Sequence, residues 1–211
     1  MKKVPYEPNR GNSCALSCYT MAARYLWPDE DITFEQLAKT ADWRRGYAVW
    51  GFRVWKWMMD KGARIVDYDV IDYEAWAKEG IRGYKNSVSK EHFDWVYKHS
   101  YDLEAETQNI GLAFEHPNFT YVRKEIAWAD VEREFKKPGI CDLTLNIGLI
   151  DEGRDGIHRV VLVDITDTEV VFHDPNKAGD GAYRRVSKKL FKSMMESLRG
   201  AELCRYSLGD G

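Results

Sequence analysis

Ile157-His158-Arg159-Val160-Val161-Leu162-Val163-Asp164-Ile165, then Thr166-Asp167, then Thr168 to Asp174, is the stretch whose reading decides this fold. Its first segment is apolar without interruption from Val160 to Val163, so it reads as a strand buried on both faces. A two-residue turn at Thr166-Asp167 predicts a hairpin in which Ile165 pairs with Thr168, a register that carries His158 opposite Asp174 or Pro175. His173 adjoins Asp174, but successive strand residues point to opposite faces, so the pair expected to meet is His158 with Asp174. A carboxylate on Nδ1 of the ring would fix its tautomer and stabilise imidazolium.

Outward from the hairpin, further strands are expected over 140–147, 183–186 and 203–206, with a helix over 187–198. The N-terminal third is helical. Cys14, Cys18, Met21, Ala22 and Tyr25 recur at helical spacing up to Pro28. A second helix over 33–39 is capped by Thr33 with Gln36 three residues on, and a third over 49–61 stops at Gly62. Between the two ends lie a short strand at 63–68 and helices at 73–78, 88–106 and 127–135, the last ended by Pro138-Gly139. This order predicts an α+β fold: one domain over 1–211, N-terminal helices packed on a C-terminal antiparallel sheet, with a helical, aromatic-rich insertion or cap at about 69–128.

The candidate nucleophile is Cys14. It stands where a Gly- and Asn-rich loop, Asn9 to Ser13, gives way to a helix that Ser13 is placed to cap, so its sulfur lies near the positive end of the helix dipole, which favours thiolate. Cys18, one turn on, lacks that advantage and reads as core, as do Cys141 and Cys204 in strands. His92 and His99 are about 10 Å apart along a helix, too far to share one ion, and His116 sits in a Pro-containing loop, so no metal site and no cofactor is expected.

Composition excludes several classes. With 31 basic and 34 acidic residues the net charge is −3, so there is no broad positive field to gather nucleic acid or an anionic membrane. The N-terminus has two lysines followed by Pro5 rather than a long apolar run, and no stretch approaches the length of a membrane span. Four cysteines without CxxC pairs fit reduced thiols, so a soluble, cytoplasmic protein is expected.

Val4-Pro5-Tyr6, Cys14 opening a helix, Met21-Ala22 two turns later, His158 before Val160-Val161, Asp174-Pro175 closing the next strand, and the Ser-capped helix from Ser187 to Phe191 together resemble the C39-like cysteine peptidases of the papain superfamily. The resemblance spans both ends of the chain and leaves about 68–128 uncovered. It implies a papain-like fold with Cys14, His158 and Asp174 as a catalytic triad. In two places the chain departs from the family pattern: Ala15 follows the nucleophile where Gly is usual, and no Gln precedes it. Asn9 is the candidate side-chain donor to an oxyanion hole, its rival reading being a turn residue.

The function expected is cleavage of a peptide, isopeptide or related amide bond through a thioester, with a peptide or protein as substrate. The alternative is a non-catalytic module of the same fold that recognises a peptide or protein partner. In that case Tyr47, Trp50, Trp55, Trp57, Trp76, Trp95 and Tyr97 either line a groove or form core.

Overall fold

The computed structural model describes residues 1–11, 13–151, 156–176, 180–198 and 200–209. The chain opens with helices α1 (Cys14–Leu26), α2 (Phe34–Thr40) and α3 (Phe52–Asp60), followed by strand β1 (Ala63–Asp69). Four helices come next: α4 (Tyr73–Glu79), α5 (Ile81–Ser87), α6 (Lys90–His99) and α7 (Leu103–Phe114). Strand β2 (Phe119–Arg123), helix α8 (Trp128–Lys136) and strands β3 (Ile140–Asn146), β4 (Ile157–Ile165), β5 (Glu169–His173) and β6 (Arg184–Ser187) follow. Helix α9 (Lys188–Glu196) and strand β7 (Leu203–Leu208) complete the described elements.

The class is α+β. The sheet runs β2-β1-β7-β3-β4-β5-β6. It differs from the expected C-terminal antiparallel sheet, because β1 and β2 come from the first two thirds of the chain and pair in parallel. The last strand, β7, is central: it lies antiparallel between β1 and β3 and knits the early strand to the late ones.

Side-chain alternation sorts two cores onto the two faces. Val161, Val163, Val171, Cys204 and Tyr206 face α1 and α3. Val160, Leu162, Val170 and Phe172 face α8 and α9, where they meet Trp128, Val131, Phe191 and Met194. This is why β4 is apolar at successive positions: both its faces are covered. Charged groups interrupt the α1 face. Arg159 is buried there, bonded to Asp142 at 2.6 Å and paired with Glu202, and Tyr206 donates to Asp142 at 2.8 Å. A buried guanidinium is tolerable because these acceptors surround it.

The middle segment packs into the α1-side core. Trp76, Tyr84, Ile110 and Ala113 are fully buried in the same cluster as Leu16 and Trp55. Trp76 stacks on Tyr84 at 4.2 Å, and a Cβ at Gly83 would stand 2.1 Å from the Ala75 carbonyl oxygen, so glycine lets α5 lie against α4. The helix expected over 88–106 is two. Val96 accepts from Ser100 N–H, the chain turns, and Asp102 caps α7 through the Ala105 N–H at 2.9 Å. Asp favours this because its side chain offers an acceptor to a helix's first turn.

Candidate active site

The loop before α1 is organised by Asn9. Its Oδ1 accepts from Gly11 N–H at 3.0 Å, Ser13 N–H at 2.9 Å and the Ser13 hydroxyl at 2.6 Å. Its own N–H donates to the Pro175 carbonyl at 2.6 Å, tying the start of α1 to the end of β5. Tyr6 adds a second tie through its hydroxyl to the Asp174 carbonyl at 3.0 Å. The Ser13 hydroxyl turns back to the loop, donating to Asn9 and accepting from Arg10 N–H, and does not cap α1, contrary to the expectation from sequence. The first-turn N–H groups of α1 thus carry no side-chain cap beside the Cys14 sulfur.

Cys14 lies within the electrostatic reach of His158, and the Arg159 backbone also acts on the sulfur. His158 Nε2 lies 2.6 Å from Asp174 Oδ1. The three residues singled out from the sequence therefore converge. They do so by a different register from the one expected: a β-bulge between Leu162 and Asp164 and a longer connection pair Ile165 with Val170 and Val161 with His173. Asp174 follows the last ladder pair and reaches His158 diagonally. His173 lies on the other face, as alternation requires, its Nε2 2.9 Å from the Val4 carbonyl and its Nδ1 accepting from Tyr183 N–H at 3.0 Å.

The carboxylate sits on Nε2, where Nδ1 was expected. Asp174 is ionised: burial works to raise its pKa, but the hydrogen bond from His158, helped by Arg184, holds it down at about 2. An ionised carboxylate only accepts, so Nε2 carries a proton and Nδ1 is the nitrogen left for Cys14. Asn176 also reaches Nδ1, at 3.0 Å. The orientation of that amide is fixed from a distance. Three donors pin Asn9 Oδ1, so Asn9 Nδ2 must donate to Asn176 Oδ1, and Asn176 must turn its NH2 toward the ring. Asn9, proposed from sequence as an oxyanion donor, instead has its amide engaged with Asn176.

Asn176 thus favours a bare Nδ1, whereas Cys14 and Asp174 favour a protonated one. Hydrogen bonds to ionised groups are roughly twice as strong as those between neutral groups, so the charged partners prevail. Burial lowers the His158 pKa, yet Asp174 and Cys14 outweigh this and raise it to about 9. For Cys14, burial raises the pKa, but His158 and the Arg159 backbone bring it below the ordinary thiol value. Together these shifts favour a thiolate–imidazolium pair near neutrality.

Behind Asp174 stands Arg184, whose Nη1 is 2.5 Å from Asp174 Oδ2 and which forks onto Asp151 through two 3.0 Å bonds. Sequence reasoning missed Arg184, Asp151 and Asn176, since only tertiary structure gathers them; the Asp-Pro-Asn run was the one local signal for Asn176. The other thiols are set apart. Cys18 is fully buried and donates to the Arg159 carbonyl at 3.4 Å, and burial keeps its pKa well above the usual value. Cys141 is pushed up to about 12 by the same cause.

The chain matches no family model and no curated protein. Among the described residues no group of three or more His, Cys, Asp or Glu is arranged to hold a metal ion, and no described helix is long and apolar enough to cross a membrane. Of the aromatic residues considered for a binding groove, Trp55 and Trp76 are core, whereas Tyr47, Trp95 and Tyr97 are exposed.

Proposed function

We infer that the protein is a thiol hydrolase of the papain-like type, acting on a peptide, isopeptide or related amide bond. One observation carries this reading: Cys14, at the N-terminus of α1, lies within the electrostatic reach of His158, whose Nε2 is bonded to a buried carboxylate. Each of the remaining described cysteines is fully buried with a raised pKa.

In the mechanism that follows, the Cys14 thiolate attacks the acyl carbonyl, and the resulting oxyanion faces the uncapped N–H groups of the first turn of α1. Imidazolium at His158 gives its Nδ1 proton to the leaving amine as the C–N bond breaks, leaving a thioester on Cys14. Neutral His158 then takes a proton from water, whose oxygen attacks the thioester; the C–S bond breaks, the carboxylic acid leaves, and His158 keeps the proton, restoring the thiolate–imidazolium pair. Asp174 keeps its charge throughout and holds the ring.

A non-catalytic module recognising a peptide or protein partner is the second reading. The observation in its favour is Asn9, whose engagement with Asn176 leaves backbone N–H groups as the oxyanion donors. The two readings separate by mass. Incubation with an activated acyl ester should add one acyl group to Cys14, and water should remove it on a time scale of turnover. An unmodified Cys14, or an acyl group on Cys14 that never leaves, refutes the hydrolase.

A further inference from the structure

We propose that the pocket beside the lead-in loop of α1 is a substrate subsite for an aromatic side chain flanked by a carboxylate; the inference rests on the hydrolase reading. The pocket, of about 530 Å³, is lined by Arg10, Phe34, Glu35, Ala38, Trp43 and Arg45. Its position follows from the chain path. Arg10 lines it, and a Cβ placed on Gly11 would stand 3.9 Å from Arg45 Nε, so the pocket borders the loop that ends three residues ahead of Cys14.

Two rings form its apolar wall. Phe34 and Trp43 meet edge to face at 5.8 Å and 88°, and the Trp43 indole N–H donates to the Tyr47 carbonyl at 3.2 Å, which fixes that ring. The Arg10 guanidinium lies 4.7 Å from the centre of the Phe34 ring. A third ring entering here would find the edge-to-face and cation–π partners that an aliphatic chain cannot use.

Charge selects the neighbouring group. Arg10 is paired with Glu7 at 2.9 Å and with Glu35, so its charge and that of Glu35 are balanced. Arg45 is exposed and makes no ion pair or hydrogen bond among the described residues. The net charge of the lining is therefore one positive, carried by a guanidinium whose fork fits a carboxylate.

The test uses the full chain carrying Cys14→Ala, so that peptide is bound and not consumed, with fluorescent blocked peptides of one sequence containing Phe-Glu, Phe-Lys or Ala-Glu at its centre. Anisotropy should rank Phe-Glu tightest, with replacement of Phe costing about tenfold and replacement of Glu about fivefold, the size of a surface ion pair. Adding Arg45→Glu should reverse the order of Phe-Glu and Phe-Lys while keeping the preference for Phe over Ala. Adding Trp43→Ala should remove that preference. Wild-type order after charge reversal, an unchanged Phe preference without Trp43, or no saturable binding of the Phe-Glu peptide at millimolar concentration each overturns the subsite. Binding as expected, with the same peptide left intact by wild type, supports the aromatic and carboxylate site as a peptide-binding site and counts against the hydrolase reading instead.

Discussion

Asp174→Asn keeps the shape of the buried side chain and an oxygen to accept the Nε2 proton of His158, while deleting the charge 2.6 Å from the ring. His158 is held at about 9 against an ordinary value of 6.5, although burial alone would push it below that value. Removing the charge therefore leaves burial opposed only by Cys14, and a fall from about 9 to roughly 7 lowers the ratio of imidazolium to neutral imidazole about a hundredfold at any given pH. The thiolate loses its counter-charge in proportion, but the α1 N-terminus and the Arg159 backbone remain, so alkylation of Cys14 should slow by about ten- to a hundredfold. The assay is the second-order rate of iodoacetamide modification at pH 6, with the labelled peptide identified by mass. Arg184 keeps Asp151 as a partner, and circular dichroism should confirm an intact fold. A variant whose rate matches wild type across pH 5 to 9 would show that Asp174 does not charge the ring.

Other consequences are measurable. Cys14→Ala should abolish acyl turnover with little change in Tm, whereas Cys18→Ala should keep turnover and cost on the order of 1 kcal/mol in urea denaturation, since its thiol is packed and not chemical. Arg184→Met should destabilise by roughly 3 kcal/mol, because it strips a partner from two carboxylates of which Asp174 is fully buried; an unchanged urea midpoint would count against that role. Asp67 is fully buried with neither oxygen bonded among the described residues, and burial, then Glu202 and Asp69, raise its pKa well above normal. A raised carboxyl pKa means that the folded state holds a proton the unfolded chain gives up, so its cost grows as pH rises above about 4, by at most about 1.4 kcal/mol per unit. Asp67→Asn should accordingly gain Tm over wild type between pH 5 and 8; a difference that is flat with pH would contradict this.

Much of the site was legible because its signals are local. Cys14 follows a turn-rich loop, and the apolar run after His158 marks a strand covered on both faces. Period-two alternation then suffices to separate His158 and Asp174 from His173. The register was not legible, since a β-bulge at Val163 is paid for by tertiary packing that no local pattern announces. Nor was the position of the carboxylate: whether Nδ1 or Nε2 meets Asp174 depends on where α1 places Cys14. Asn9 looked like a free amide, yet the same short loop that brought it near the nucleophile consumed it as a turn acceptor. The strand Phe119–Arg123 escaped notice because it is a short, half-exposed edge strand whose partner lies some fifty residues earlier, and the break between α6 and α7 because helical periodicity hides a cap such as Asp102.

The central claim is that His158 holds Cys14 as a thiolate. Ultraviolet thiolate absorbance, titrated against pH and referenced to Cys14→Ala, measures this directly. Wild type should show one thiolate appearing below the ordinary thiol value of 9.0, and in His158→Ala that transition should move upward. A Cys14 transition near 9 in wild type, or one that His158→Ala leaves in place, contradicts the account.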